Sequence, residues 1–120
     1  MMMRLTVTYN AFDVVTVPFP FTDSSKNKRR PALVISSKSY FNDKAKHSIL
    51  AMITSAKNDA WPLDISISDL QKAGLSASSV IRMKLFTLDH RLIVSKIGAL
   101  SEKDRKEVRA SLTQALGDIF

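Results

Sequence analysis

The 120-residue chain contains no cysteine and only two histidines, His47 and His90. The first absence excludes a disulfide framework, a thiol nucleophile and a thiolate metal site. The second leaves too few imidazoles for a histidine-rich metal centre. No stretch approaches the ~18 consecutive apolar residues of a membrane helix. The N-terminal residues Met1–Tyr9 lack the apolar core and small-residue cleavage site of a secretory signal. A soluble, cytoplasmic protein without membrane contact is therefore expected, and no cofactor or metal is expected either. Paired carboxylates, a phosphate-cradling glycine loop and a Ser-His-Asp signal are missing as well.

Positive charge is what the chain has in excess. Eighteen Lys and Arg stand against eleven Asp and Glu, a net charge of +7. Such a balance favours a polyanionic partner, either nucleic acid or a very acidic protein. Hydrophobic residues make up 45% of the chain. Its length suits one domain spanning residues 1–120, which buries roughly two-thirds of the surface exposed when unfolded.

Strand-like periodicity dominates up to about Gly98. Phe12–Pro18, Pro31–Ser37, Ser48–Ser55, Pro62–Ser68, Ser79–Leu88 and Leu92–Ile97 read as short strands, rich in β-branched residues or alternating in polarity. Pro31–Ser37 and Ser48–Ser55 are apolar on both faces, as central strands are. Asp69–Gly74 reads as a short helical turn ending at Gly74. From Ser101 the period lengthens: Ser101 and Asp104 form a capping-box pattern, and Val108, Leu112, Ala115, Leu116 and Ile119 make one helical stripe. The expected fold is mainly β (α+β), a small, strongly twisted barrel-like sheet of five to six short strands with a C-terminal α-helix.

The residues suited to chemistry cluster around the second and third strands. Lys26, Lys28, Arg29 and Arg30 occupy a polar loop immediately before Pro31, which fixes the backbone at the strand's start. A guanidinium held there can grip a phosphate and stabilise charge developing on phosphorus; the plainer alternative is a solubilising loop. Thr54 and Ser55 end an apolar strand, where hydroxyls either donate to a phosphate oxygen or close off the backbone. Arg82 and Lys84, at i and i+2 on one face of a strand, make a short cationic track for a single-stranded backbone, or an ordinary solvent face. Phe19, Phe21, Tyr40, Phe41 and Trp61 flank the loops and include candidates for stacking on unpaired bases. His47 and His90 read as exposed polar residues. The residues alone support a basic β domain that meets nucleic acid.

Val14-Val15-Thr16-Val17-Pro18-Phe19-Pro20-Phe21 and Lys28-Arg29-Arg30-Pro31-Ala32-Leu33-Val34-Ile35-Ser36 resemble the opening of MazF/PemK-type toxins of type II toxin–antitoxin systems. Ile53-Thr54-Ser55, the stretch from Gly74-Leu75 to Val80, and Arg91-Leu92 through Lys96-Ile97-Gly98 continue the pattern in order. The resemblance implies an SH3-like barrel, a homodimer, and metal-independent endoribonuclease cleavage of single-stranded RNA (an mRNA interferase) by 2′-hydroxyl attack on the adjacent phosphate. It implies Arg30 and Thr54 as catalytic residues, with Lys26, Lys28, Arg29, Ser55, Arg82 and Lys84 binding RNA. A cognate acidic antitoxin covering the basic site is also implied. Three places differ from the family pattern: Phe12 precedes Asp13 where many members have Gly, Ser24–Asn27 holds no acid, and Met83-Lys84 follow Arg82 where some members carry an acid. His47 is a candidate replacement for the missing base. A CcdB-type gyrase-binding toxin, with a basic terminal helix formed by Lys103, Arg105, Lys106 and Arg109, and a non-cleaving RNA-binding barrel are the alternatives.

Overall fold

A computed structural model describes residues 8–19 and 28–120, so Lys26 and Phe21 lie outside the described residues. Six antiparallel strands form one sheet: β1 (Asp13–Phe19), β2 (Lys28–Val34), β3 (His47–Ser55), β4 (Ile65–Ser66), β5 (Ser79–Asp89) and β6 (Ser95–Ala99), in the order β4-β5-β3-β2-β1-β6. The sheet curls into a half-barrel, and helix α3 (Glu102–Leu116) packs on β4 and β5. The mainly β, SH3-like expectation with a C-terminal helix is met. No described helix is long and apolar enough to cross a membrane.

Both faces of the sheet are covered, which is why its central strands are apolar throughout. Val14, Leu33, Ala51, Ile53, Ile65 and Ile81 pack with Leu100 and Val108 under α3. Their neighbours Val15, Val17, Ala32, Val34 and Leu50 point the other way and pack with Tyr9, Leu88 and Ile93. Between β3 and β5 the register jumps: Ala51 pairs with Leu85 but Met52 with Arg82, so Met83 and Lys84 bulge out of the ladder.

Several expected boundaries move, each for a local reason. Only Ile65–Ser66 of the expected Pro62–Ser68 strand pairs, because Trp61–Asp64 is a turn closed by Asp64 N–H to Trp61 C=O at 3.2 Å. After β2 a π-helical turn, Lys38–Asn42, runs into α1 (Asp43–Ala45), a segment the periodicity does not announce. It is anchored by the buried Asn42, whose Nδ2 donates to Tyr9 C=O (2.8 Å) and Ser36 C=O (3.0 Å). Helix α2 (Leu70–Ala73) matches the expected turn: Asp69 caps it through Lys72 N–H at 2.9 Å, and Gly74 leaves it at φ +77°. Gly98 lies inside β6 rather than ending it; a Cβ there would sit 2.4 Å from the Ala73 carbonyl carbon, so only glycine lets α2 approach.

Phe12, at the position where many family members carry Gly, takes a left-handed φ of 73°. Its backbone is clamped by Phe12 N–H to Val34 C=O (2.7 Å) and Leu100 N–H to Phe12 C=O (3.0 Å). Its ring lies 5.3 Å from the Arg105 guanidinium carbon and 5.0 Å from that of Arg109. Two of the four cations expected on the open side of α3 are thus stacked on the domain itself.

The capping box is half formed. Ser101 Oγ accepts from Asp104 N–H at 3.2 Å, while the Asp104 carboxylate is held mainly from elsewhere. Fully buried, it accepts from Ser68 N–H at 3.1 Å, Ser68 Oγ–H at 2.8 Å and Asp69 N–H at 3.2 Å, tying the start of α3 to the β4–α2 connection. Burial pushes this carboxyl's pKa up, but the hydrogen bonds from Ser68 and Asp69 outweigh it and the net shift is downward. A depressed folded-state value gives stability that is present above the unfolded value and lost as pH falls through the folded one. Asp104→Ala is expected to destabilise the domain by about 2–4 kcal/mol at pH 7. In denaturant titrations, the gap to wild type should narrow as pH drops below about 4.

Candidate active site

The β2–β3 ladder sets the site. Ala32 pairs with Met52 at the end of this ladder, and Arg30 and Thr54 lie two residues beyond that pair on their own strands. Because side chains alternate, Arg30, Ala32, Met52 and Thr54 share one face. At this end of the sheet Arg30 and Thr54 line one pocket of about 260 Å³, with Pro31, Ile53, Ser55, Leu75 and the run Ser76–Ser79. The pocket therefore joins the start of β2, the end of β3 and the start of β5.

Its polar groups are only partly engaged with one another. Arg30 lies with its guanidinium carbon 5.7 Å from the Phe19 ring centroid. Among the described residues, Arg30 Nε is the buried side-chain polar atom without a hydrogen-bond partner. A buried guanidinium N–H left unpaired is costly unless something binds it. Thr54 Oγ1 accepts from Asn58 Nδ2 at 2.6 Å, which leaves the hydroxyl hydrogen to be donated elsewhere. Ser55 Oγ accepts from Lys57 N–H at 3.2 Å, and Ser79 Oγ donates to Ala77 C=O at 2.8 Å. Ser76 and Ser78 are exposed at the rim.

The other sequence candidates fall in different places. Lys28 and Arg29 are exposed at the start of β2, opposite Phe19 and Pro18, and their side chains alternate across the sheet. Ser55 is in the pocket. Arg82 does not stand on an open face beside Lys84, as strict alternation would have it. The bulge at Met83-Lys84 breaks the alternation, and Arg82 is buried in a two-pronged pair with Asp64, Nε to Oδ1 at 3.2 Å and Nη2 to Oδ2 at 2.9 Å. Nη2 also donates to Asp59 C=O at 2.6 Å. The Arg82 hydrogen bond holds the Asp64 carboxyl below its usual range against the opposing effect of burial. Lys84 stays exposed, its ammonium 4.6 Å from the Trp61 ring centroid.

His47 cannot stand in for a base at this site. It starts β3, seven residues from Thr54 or about 24 Å along an extended strand, and its Nδ1 lies 2.9 Å from Ala45 C=O. His90 is held near Ser48 Oγ at 2.8 Å, and its pKa is lowered mainly by burial. Tyr40 is 83% exposed on the π-helical turn, away from the pocket-lining residues. Sequence reasoning assigned no site role to Ser76–Ser79, Asn58 or Asp64. The cluster of small hydroxylated residues following Gly74 was the available signal for the first; the other two depend on loop geometry.

With this geometry in view, comparison with known proteins decides the family. The PemK-like, MazF-like toxins of type II toxin–antitoxin systems match over residues 10–116. The chain belongs to this family. Among solved structures it is similar to MazF from Deinococcus radiodurans, at 24% identity and a TM-score of 0.72, covering 92% of this chain and 98% of that one. It is similar also to a MazE–MazF complex from the same organism, at 23% identity and a TM-score of 0.71 over 91% and 96% of the two chains. An endoribonuclease in complex with its cognate antitoxin, from a mycobacterial species, matches at 14% identity and a TM-score of 0.69 over 91% and 93%. No curated protein matches the sequence.

The Arg82–Asp64 pair in this toxin is two-pronged and shielded, so the two side chains should behave as a unit. In a double-mutant cycle read by thermal unfolding, Arg82→Met and Asp64→Ala should each destabilise, and the double variant should lose clearly less than the sum. Strict additivity would show that the pair is not formed.

Proposed function

We propose that this toxin is an endoribonuclease that cleaves single-stranded RNA without a metal ion, with Arg30 and Thr54 as its catalytic residues. The carrying observation is that Arg30, whose Nε–H is buried without a hydrogen-bond partner, and Thr54, whose hydroxyl hydrogen is left to donate, line one pocket. A phosphodiester seated there receives a guanidinium hydrogen bond from Arg30 and a hydroxyl hydrogen bond from Thr54 on its non-bridging oxygens. The neighbouring ribose 2′-oxygen attacks phosphorus and loses its proton. The bond from phosphorus to the 5′-oxygen breaks, that oxygen gains a proton, and the products are a 2′,3′-cyclic phosphate and a 5′-hydroxyl. RNA supplies the nucleophile, and Arg30 meets the negative charge that builds on phosphorus, so the chemistry needs no metal.

In this reading Lys28, Arg29, Ser55 and Lys84 hold flanking phosphates, with Arg82 acting through its pair with Asp64. An acidic antitoxin segment would meet the same basic rim; relatives of this fold have been solved with their antitoxins. The exposed Ile119 and Phe120, at 77% and 81%, together with Leu116 at the end of α3, favour pairing with a second copy.

The test is a defined single-stranded RNA incubated with the protein in EDTA. Cleavage to cyclic-phosphate ends is expected from wild type. Arg30→Ala and Thr54→Val should each lose about 10²-fold or more in rate while unfolding at the wild-type temperature or above. Loss of wild-type cleavage in EDTA, or unimpaired cleavage by Arg30→Ala, would overturn the assignment.

A further inference from the structure

The turn that follows β3, in the loop whose Asn58 bonds to Thr54, is built around one aromatic ring. Residues Trp61, Pro62, Leu63 and Asp64 close on themselves from both sides: Asp64 N–H donates to Trp61 C=O at 3.2 Å, and Trp61 N–H donates to Asp64 Oδ2 at 2.9 Å. Pro62 sits at the second position, where its ring suits the turn, and Leu63 takes φ +66° at the third, where such turns favour glycine. A leucine held left-handed is strained, and strain of this kind is kept where the surroundings enforce it.

The turn is also fastened to the proposed site. Asn58, earlier in the same loop, donates to Thr54 Oγ1, and Asp59 C=O and the Asp64 carboxylate both hold Arg82. Arg82 pairs with Met52, two residues from Thr54 and on the same face. The Trp61 ring rests on cations from β5, with the Arg82 guanidinium carbon 5.6 Å and the Lys84 ammonium 4.6 Å from its centroid. Even so, Trp61 remains 42% exposed. An indole that served packing would be covered; this one is fixed from the strand side and left open.

We infer that Trp61 is a stacking subsite for an unpaired base of the RNA strand whose phosphate lies at Arg30 and Thr54. The inference rests on the nuclease reading and deepens it. Every base offers a π-face, so an immobilised indole beside a phosphate site gains affinity from any nucleotide that reaches it. An acidic polypeptide gains less here, because Asp64 already neutralises Arg82 and Lys84 is the one cation at the ring without an ion pair among the described residues.

Trp61 is the chain's only tryptophan, so intrinsic fluorescence reports on this ring alone. Wild-type protein is titrated with 2′-O-methyl RNA octamers of randomised sequence, which lack the attacking hydroxyl, and in parallel with inorganic polyphosphate and poly-glutamate. Saturable quenching by the RNA octamers, and not by the two base-free polyanions, is expected. Trp61→Leu should bind a labelled octamer about tenfold more weakly or worse, with Trp61→Phe recovering most of the loss. Octamer binding without quenching, equal affinity of Trp61→Leu, or equal quenching by poly-glutamate would each overturn the inference. Cleavage of unmodified RNA is scored separately: cleavage without quenching removes the stacking subsite alone, whereas neither binding nor cleavage removes the nuclease reading with it.

Discussion

The pairing of β2 with β3 is the constraint on which the site depends. Ala32 opposite Met52, Leu33 opposite Ala51 and Val34 opposite Leu50 lock two central strands together, with apolar side chains pinned on both faces. A slip of one residue would turn every one of these side chains to the wrong core. Arg30 and Thr54 lie two residues beyond the last of these pairs and line one pocket at that end of the sheet. Neither residue contributes much to the core, yet the core fixes their separation. The alternation that buries Ala32 and Leu50 sends Arg30 and Thr54 to a common face.

A net charge of +7 does not describe how the cations are deployed. Arg82 is committed to Asp64, Lys96 to Asp13 at 3.2 Å, Lys38 to Asp43 at 3.2 Å, and Arg105 and Arg109 to the face of Phe12. Lys28, Arg29 and Lys84 stay exposed, as do Lys44, Lys46, Lys57, Lys72, Lys103 and Lys106, whereas Arg30 in the pocket is half-buried. Net charge therefore overstates the cationic surface left open once these pairs and stacks are made.

Much of the fold was legible in the sequence because it follows from period and punctuation. The two-sided apolar runs of β2 and β3, the Asp69 and Gly74 ends of α2, and the Ser101 cap of α3 are local signals that tertiary structure left in place. The convergence of Arg30 and Thr54 was legible only through family resemblance, since no local rule states that two strand ends meet. What stayed hidden arises from long-range or irregular geometry. The bulge at Met83-Lys84 turned an apparently solvated Arg82 into a buried partner of Asp64. The Asp104 carboxylate, expected to serve its own helix cap, is held chiefly by Ser68, 36 residues away. The helical turn at Lys38–Ala45 depends on Asn42 bonding to Tyr9 and Ser36, which no periodicity records.

The two glycines between α2 and β6 have a mechanical consequence. β4 and β6 are the opposite margins of an open sheet, and α2, which directly follows β4, touches β6 where Gly74 and Gly98 remove the side chains that would hold them apart. The half-barrel is thereby shut by a helix acting as a clasp, without a ladder of hydrogen bonds to seal it. The residues just past that clasp, Leu75 to Ser78, form one wall of the pocket that Arg30 and Thr54 line. A disturbance at the rim strand β6 therefore has a short mechanical route to the pocket wall, although no residue of β6 lines it.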